Sequence, residues 1–207
     1  KMWITNGHVA GVFCLYARTP EGPTGFLVRR NSEGLVVGKD EEKMGQRGSP
    51  TNELSLNGVR VPRENIIGIE GRGQVNALET LNVGRTGLCV TATAMIAKIV
   101  EQTRPFVRDP EHRQLLGEMA MELYACESLA YELIGRFDHH GTKDARTESA
   151  IGKYYASEAL HRVILAAEKI HGIDGITQLR ELEKHRRDAR VLNIYEGTNE
   201  VQRFLIL

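Results

Sequence analysis

The spacing of apolar residues changes after the first third of this 207-residue chain, and the change restricts the folds open to it. In the later part, apolar side chains recur every three to four residues, which is the period of an amphipathic helix. The clearest stripes cover residues 115–137 and 151–170, and a weaker one begins near residue 74. Shorter apolar segments lie at 179–184 and from Thr198 onwards. Amphipathic helices joined by short loops predict an up-and-down four-helix bundle.

The first third of the chain carries short apolar runs separated by turn residues. These runs lie at residues 12–17, 25–28 and 35–37. A further pair of alternating segments flanks Asn57-Gly58, a dipeptide that suits a type I′ turn because both positions need positive φ. We therefore expect residues 53–61 to form a hairpin. The alternation of apolar and polar residues indicates an antiparallel sheet with one buried face.

These two patterns predict an α+β chain with two domains. We expect a partial antiparallel β-domain at residues 1–70, incomplete at its N-terminus, and a helical-bundle domain at residues 71–207. Gly68, Gly71 and Gly73 mark the linker between them. The opening residues have no initiator methionine and no signal peptide, and they resemble the middle of a strand. The chain is therefore expected to be the C-terminal part of a longer protein.

Composition argues against several classes of function. Lys and Arg number 27, as do Asp and Glu, and the formal net charge of zero disfavours a nucleic-acid-binding surface. No uncharged apolar run approaches the roughly 18 residues of a membrane helix, so no transmembrane segment is expected. The three cysteines form no Cys-x-x-Cys pair and the seven histidines form no ligand pair, so no metal site is expected. Unpaired cysteines are typical of a reducing compartment, so we expect the cytoplasm, or the mitochondrial matrix if the protein is eukaryotic.

Residues 194–200 are the strongest candidate for chemistry. Glu196 lies in a break between helical segments, after apolar Ile194 and directly before Gly197. A carboxylate in a partly apolar break can have a raised pKa and act as a general base. The alternative is an exposed glutamate of the first helical turn, which the helix dipole favours. Spacing alone leaves both interpretations open.

Gly172 and Gly175 also allow two interpretations. A glycine-rich loop can approach a phosphate closely, but this pair does not follow a parallel strand in a βαβ unit, so a Rossmann site is not supported. At the end of a helix, glycine supplies the left-handed residue that caps it. Taken alone, both glycines are interpreted as turn residues.

Six short motifs follow one another along the chain: Trp-Ile-Thr-Asn-Gly at 3–7, Lys-Met-Gly-x-Arg-Gly-Ser at 43–49, Val-Arg-Val-Pro-x-x-Asn-Ile at 59–66, Leu-Asn-x-Gly-Arg at 81–85, Arg-Asp-Ala-Arg at 187–190 and Tyr-Glu-Gly-Thr-Asn-Glu at 195–200. In this order they resemble the motifs of the acyl-CoA dehydrogenase family. The resemblance covers essentially the whole chain. The family fold has an N-terminal helical domain, a middle β-domain and a C-terminal four-helix bundle. The resemblance implies that this chain is most of the second domain and all of the third.

The resemblance also implies a reaction. In this family, FAD takes a hydride from the β-carbon of an acyl-CoA while a glutamate takes the α-proton, which gives a trans-2-enoyl-CoA. The resemblance places that base at Glu196, and it places the Glu196 backbone N–H at the thioester oxygen together with a flavin hydroxyl. Some members carry the base on an earlier helix, at the position of Gly84. Glycine cannot be a base, so Glu196 is the expected one.

Further site residues are implied in the same way. The expected FAD-binding residues are Trp3, Thr5, Gly172, Gly175 and Thr198. The expected substrate-binding residues are Asn82, Arg85, Tyr195 and Gly197. Ordinary structural roles remain open for some of them: a core tryptophan, a strand threonine and an arginine in a helix ion pair.

The resemblance extends to partners. It implies an acyl-CoA substrate, an electron-transfer flavoprotein as electron acceptor, and a homodimer or homotetramer formed through the C-terminal helices. An acyl-CoA oxidase, which uses dioxygen, is the alternative on the same fold. A catalytically silent homologue with a structural or assembly role is a third possibility. One feature favours it: residues 103–110 replace the family's Arg-x-x-Phe-Gly motif, which reaches the FAD of a neighbouring subunit. The intact Tyr-Glu-Gly-Thr segment at 195–198 disfavours it.

Overall fold

The computed structural model describes residues 1–142, 145–177 and 181–207. Six strands come first within this part of the chain, and five α-helices follow. The chain divides into two compact units, Lys1–Glu79 and Thr80–Leu207. The predicted fold class, an antiparallel β-domain followed by a helical bundle, is confirmed.

The first unit contains two three-stranded antiparallel sheets. The strands are β1 (Ile4–Thr5), β2 (Val12–Thr19), β3 (Gly22–Arg29), β4 (Leu35–Asp40), β5 (Thr51–Leu56) and β6 (Ile66–Ile67). One sheet has the order β1-β5-β4 and the other has the order β2-β3-β6. Strands β2 and β3 form a hairpin that pairs Val12 with Arg29 and closes at Thr19 and Gly22. Gly22 has a φ of 121°, which only glycine adopts readily.

Alternate residues of these strands form the core of the first unit. Phe13 and Leu15 of β2, Val28 of β3 and Leu54 of β5 are all buried. Their neighbours along each strand point outward and are mostly exposed, as a period of two requires. The three predicted strand segments are confirmed, each within a longer strand.

The predicted hairpin at residues 53–61 is wrong. Strand β5 ends at Leu56, and residues 59–61 form no strand. Of the central pair, Gly58 has a φ of 65° but Asn57 is not in the left-handed region, so a type I′ turn does not form. Strand β5 already pairs with β4 on one side and β1 on the other, which leaves no edge for a returning strand.

The second unit is built mainly from three long helices and two short ones. They are α1 (Gly73–Thr103), which belongs to this unit from Thr80 onwards, α2 (Pro110–His140), α3 (Arg146–His171), α4 (Leu182–Ala189) and α5 (Asn199–Ile206). Helix α2 begins with Asp109 as its cap, whose carboxylate accepts from the His112 N–H at 2.8 Å, and with Pro110 in its first turn. Gly141 ends it with a φ of 75°. The predicted helix at 179–184 begins outside the described residues, and α4 continues to Ala189.

Helix α3 is the central helix of this unit. It packs against α2, α4 and α5, and Gly152 lies directly against Leu133 of α2. Because three helices surround it, polar residues share its buried face; these are Ser149, Lys153 and Ser157. The predicted stripe from Ile151 to Ile170 is therefore offset from the face that is most buried.

Helix α1 and the 3₁₀ turn that continues it to Phe106 are together long and apolar enough to cross a membrane by length and composition alone. The side chains of Cys89, Ala92, Ile96 and Ile99 are fully buried in the helical core of the second unit. Within the apolar 18-residue window 44% is buried, so one face of α1 packs in that core.

Candidate functional site

Glu196 lies in the break between two helical segments of the second unit. A short 3₁₀ turn at Arg190–Asn193 precedes it, and α5 begins three residues after it. Glu196 has a φ of 57° and Gly197 a φ of 90°, so two consecutive residues are left-handed. For a non-glycine residue this conformation is strained, and it persists only where the surroundings hold it.

Side chains from three helices hold this turn by its carbonyl groups. Arg85 Nε of α1 donates to the Glu196 carbonyl at 3.2 Å. Gln202 Nε2 of α5 donates to the Glu196 carbonyl at 3.2 Å and to the Gly197 carbonyl at 2.8 Å. Lys153 Nζ of α3 donates to the Gly197 carbonyl at 2.9 Å. These donors fix the backbone from which the Glu196 carboxyl projects.

The carboxyl group of Glu196 lies against Gly84 of α1. A Cβ on Gly84 would lie 2.7 Å from Glu196 Oε2 and 2.9 Å from Oε1, which is closer than real Cβ atoms approach. Glycine at this position therefore makes room for the carboxyl group. The family resemblance puts the catalytic base at residue 196, or, in some members, at the position of residue 84. In this structure these two positions are in direct contact.

Burial and two neighbouring positive charges act in opposite directions on the pKa of the Glu196 carboxyl. Burial raises the pKa of the Glu196 carboxyl, and the positive charges of Arg85 and Lys153 oppose that rise. Burial lowers the pKa of Arg85, whose side chain is 3% exposed. Arg85 Nη1 has no hydrogen-bond partner within the described parts of the chain. The site thus holds the half-buried carboxyl group of Glu196 beside the buried guanidinium of Arg85, whose Nη1 can still donate a hydrogen bond.

Two of the predicted substrate-binding residues also have structural roles. Tyr195 is half-buried and packs against the helical core. Asn82 is 3% exposed, and its Nδ2 donates to the Thr142 carbonyl at 3.0 Å. Its Oδ1 accepts from Ser149 Oγ at 3.5 Å. A substrate contact by either residue stays a prediction.

Thr198 is the N-cap of α5. Its hydroxyl accepts from the Val201 N–H at 3.3 Å. The backbone N–H of Glu200, and after it the Thr198 hydroxyl, donate to the Glu200 carboxylate and lower its pKa. Glu200 is exposed, in contrast with Glu196. A role of Thr198 at the FAD phosphates stays a prediction.

Gly172 and Gly175 lie in a 3₁₀ turn, Gly172–Ile176, at the end of α3. Gly172 has a φ of 62° and caps the helix, as the alternative interpretation expected. A Cβ on Gly175 would lie 3.1 Å from the Glu168 Cα, so close packing accounts for this glycine. Neither observation tests an FAD contact.

Trp3 and Thr5 belong to the first unit. Trp3 directly precedes β1, has a φ of 59° and is 64% exposed, so it is not a core tryptophan of that unit. Thr5 lies in β1 opposite Thr51 of β5 and is exposed. Both side chains are thus open on the surface of the first unit.

The sequence interpretation missed three residues around Glu196: Lys153, Asn199 and Gln202. All three are buried polar side chains, and the apolar pattern of a helix gives them no signal. Helical spacing is the signal that points to them. Lys153 lies four residues from Ser149 and from Ser157 on α3. Gln202 lies three residues from Asn199 on α5. Across the described residues, no group of three His, Cys, Asp or Glu side chains could hold a metal ion.

Two family models match the chain. The acyl-CoA dehydrogenase C-terminal domain matches residues 71–207, and the acyl-CoA dehydrogenase middle domain matches residues 1–59. Together they match the chain except for residues 60–70.

Individual proteins are similar over the whole chain. The very long-chain specific acyl-CoA dehydrogenase, mitochondrial, of Rattus norvegicus is 36% identical over 227 residues, which cover 100% of this chain and 34% of that protein. An acyl-CoA dehydrogenase complexed with FAD from Bacillus anthracis has a TM-score of 0.91 and 31% identity, covering 100% of this chain and 40% of that chain. The prolyl acyl carrier protein oxidase AnaB has a TM-score of 0.95 and 28% identity, with coverage of 100% and 58%. The chain therefore spans less than two thirds of the length of each.

Proposed function

This chain belongs to the acyl-CoA dehydrogenase family, and from that premise we propose that the protein containing it oxidises the Cα–Cβ bond of an acyl-CoA thioester. The product is a trans-2-enoyl-CoA, and Glu196 is the general base. The observation that carries the proposal is the position of the Glu196 carboxyl, half-buried against Gly84 on a turn held by Arg85, Lys153 and Gln202.

The surroundings of Glu196 suit the removal of a weakly acidic proton. A base that must act on carbon needs a pKa near the working pH, and burial raises the pKa of Glu196 from its ordinary value. A base must also be held in one place, and the clamped left-handed turn supplies that. The unpaired Nη1 of buried Arg85 supports its predicted role in substrate binding, since it can donate to a polar group that enters the site.

The residues of the first unit fit a flavin. Trp3 presents an indole that is 64% exposed, and burial against a flat aromatic ring would remove this apolar surface from water. Thr5, two residues later, offers a hydroxyl for the edge of such a ring. FAD supplies the acceptor for the hydride that leaves the β-carbon. Gly172, Gly175 and Thr198 remain proposed contacts on the phosphate side.

In the proposed reaction the chain's own residues handle the proton. A Glu196 carboxylate oxygen forms a bond to the α-proton, and the electron pair of the Cα–H bond becomes part of the new Cα=Cβ bond. The hydride leaves the β-carbon with its own electron pair, so that two hydrogens and two electrons leave the substrate. Because Gly84 has no side chain, the carboxyl group can approach the substrate without obstruction from α1.

The electron acceptor distinguishes two versions of this function. We propose electron-transfer flavoprotein, as the family resemblance implies. The likeness to the AnaB oxidase supports dioxygen as the second candidate. Localisation in the cytoplasm or a mitochondrial matrix remains part of the proposal.

Oligomerisation is also proposed. Apolar side chains are exposed on the second unit: Phe204 is 81% exposed, and Tyr124 and Tyr131 of α2 are 74% and 77% exposed. Such surface is typical of a contact with another subunit. We expect sedimentation of the natural protein at micromolar concentration to give a dimer or tetramer, and a monomer would contradict this.

The direct test is an anaerobic titration of the natural protein with a panel of acyl-CoA thioesters. The proposal expects a bound flavin that bleaches with one chain-length class. Rapid recovery of the flavin absorbance in air would favour the oxidase, whereas recovery only with electron-transfer flavoprotein would favour the dehydrogenase. A protein that binds no flavin, or whose flavin no thioester bleaches, would support the silent homologue.

A further inference from the structure

Lys153 is a buried lysine in the middle of α3. Its side chain is 1% exposed, and its ammonium group donates to the Gly197 carbonyl at 2.9 Å and to Asn199 Oδ1 at 2.6 Å. Burial lowers the pKa of Lys153 to about 8, and the neighbouring Arg85 acts in the same direction. An apolar side chain of similar length would avoid this desolvation. Packing alone therefore does not explain a lysine at this position.

The partner of Lys153 is itself held in one orientation. Asn199 Nδ2 donates to Ser157 Oγ at 2.9 Å and to Glu158 Oε1 at 2.6 Å. Because the amide nitrogen of Asn199 is bound to these two residues of α3, the amide oxygen Oδ1 is the atom that faces Lys153. Asn199 is the first residue of α5. The network thus ties the central helix to the end of the turn that carries Glu196.

Lys153 is the charged donor on the Gly197 carbonyl. The other donor to that oxygen, Gln202, is neutral, and Arg85 binds the preceding carbonyl. A charge-assisted hydrogen bond is stronger than a neutral one, so Lys153 is the stronger anchor of the left-handed residue 197. Burial raises the pKa of the Glu196 carboxyl, and the positive charge of Lys153, after that of Arg85, acts in the direction that lowers it.

We propose that Lys153 is a positioning residue for Glu196: it anchors the turn through the Gly197 carbonyl and stabilises the ionised carboxylate. The inference rests on the proposed function only where Glu196 is called a base. The charged groups that face Glu196 are Arg85 from α1 and Lys153 from α3. Lys153 in turn is faced by Arg85, Glu196, Glu158 of α3 and Glu200 of α5.

The test measures the protonation of Glu196 without requiring turnover. Difference infrared spectroscopy of the natural protein follows the C=O stretch of protonated carboxyl groups with pH, and the band missing in Glu196→Gln belongs to Glu196. Lys153→Met removes the charge and keeps the side-chain length. We expect the Glu196 titration midpoint to move to higher pH in Lys153→Met and to stay near the wild-type value in Lys153→Arg. The matched control is Lys98→Met, since Lys98 is a half-exposed lysine paired with Glu181 at 2.9 Å.

The kinetic arm measures the flavin reduction rate with an acyl-CoA that bleaches the wild type. We expect Lys153→Met to reduce the limiting rate at least tenfold and to shift the acid limb of its pH profile upward, with substrate affinity within about threefold of wild type. An unchanged infrared midpoint in Lys153→Met would overturn the inference, even if the variant were less stable. If Lys153→Met does not fold, Lys153→Gln carries the same test. The two experiments can also give different answers. If the infrared midpoint of Glu196 moves in Lys153→Met but no thioester bleaches the flavin, the proposed function is refuted and the role of Lys153 in positioning Glu196 stands.

Discussion

The carboxyl group of Glu196 occupies the space that a side chain on Gly84 would need. A Cβ on Gly84 would lie 2.7 Å from Oε2 and 2.8 Å from the carboxyl carbon. Gly84 lies in α1 and Glu196 follows the 3₁₀ turn after α4, so the contact joins residues far apart in the sequence. A carboxyl group from one of these positions therefore excludes a side chain at the other.

Gly84→Ala is expected to displace the Glu196 carboxyl and to impair proton abstraction. The atoms in the way are the far end of a flexible side chain, so the fold can adapt while the carboxyl group moves. We expect the rate of flavin reduction by acyl-CoA to fall by about tenfold or more, because misplacing a catalytic group by about 1 Å can lower a rate by up to 10²-fold. Stopped-flow absorbance checks this.

Gly87→Ala is the matched control on the same helix. A Cβ on Gly87 meets nothing within 4 Å. Replacing an exposed glycine inside a helix by alanine stabilises it by about 0.5–1 kcal/mol. We expect slightly greater stability and an unchanged rate of flavin reduction. Equal rates in Gly84→Ala and Gly87→Ala would show that the Gly84 contact does not matter for the reaction.

Gly197→Ala is expected to destabilise the second unit. Gly197 has a φ of 90°, and a Cβ there would lie 2.6 Å from Gln202 Nε2, which holds the turn. The strained backbone alone is expected to lower the free energy of unfolding by about 1–3 kcal/mol. Urea denaturation measures this, with Gly117→Ala in α2 as control, since its Cβ meets nothing within 4 Å. A change of less than about 0.5 kcal/mol in Gly197→Ala would contradict the role of the clamp.

Glu196→Gln is expected to stabilise the folded protein at neutral pH. Burial raises the pKa of Glu196 in the folded state, so its ionisation opposes folding. Below the pKa that Glu196 has in the unfolded chain, its carboxyl group is protonated in both states and its stability contribution is fully present. That contribution is lost as the pH rises through the pKa of Glu196 in the folded state. Glutamine does not ionise and escapes that loss. Calorimetry at matched FAD content should show a higher Tm for Glu196→Gln at pH 8 and a smaller difference near pH 4; the reverse order would contradict the direction of the shift.

The elements of the fold were predictable wherever burial follows one period. The apolar stripe on α2 from Leu115 to Phe137 lies on the one face of that helix that packs inward. Its residues are buried or half-buried, as expected. The hairpin at Asn57-Gly58 was wrongly predicted, because the strands that pair with β5 come from other parts of the chain. Local turn chemistry cannot report which edges of a strand are already paired.

Part of the candidate site was predictable: the motifs pointed to Glu196 and to Arg85 beside it, but not to Lys153 and Gln202. The break around Glu196 is visible in the sequence, since Gly197 and Thr198 interrupt the helical pattern. The residues that hold it come from α1, α3 and α5, and Lys153 is separated from Gly197 by most of α3 and all of α4. Their polarity hides them from an apolar periodicity, and only the tertiary fold brings them together.

The proposal that Glu196 is the general base is tested most directly by stopped-flow reduction of the bound flavin in two variants of the natural protein, Glu196→Gln and Glu200→Gln. Glutamine keeps the shape and the backbone of residue 196 but cannot accept the α-proton. Loss of a general base commonly lowers a rate by about 10²–10⁴-fold, and we expect at least that reduction, with acyl-CoA binding retained. Glu200 is exposed in the first turn of α5, so Glu200→Gln should reduce its flavin at close to the wild-type rate. Near-normal flavin reduction in Glu196→Gln would contradict the assignment of Glu196 as the base.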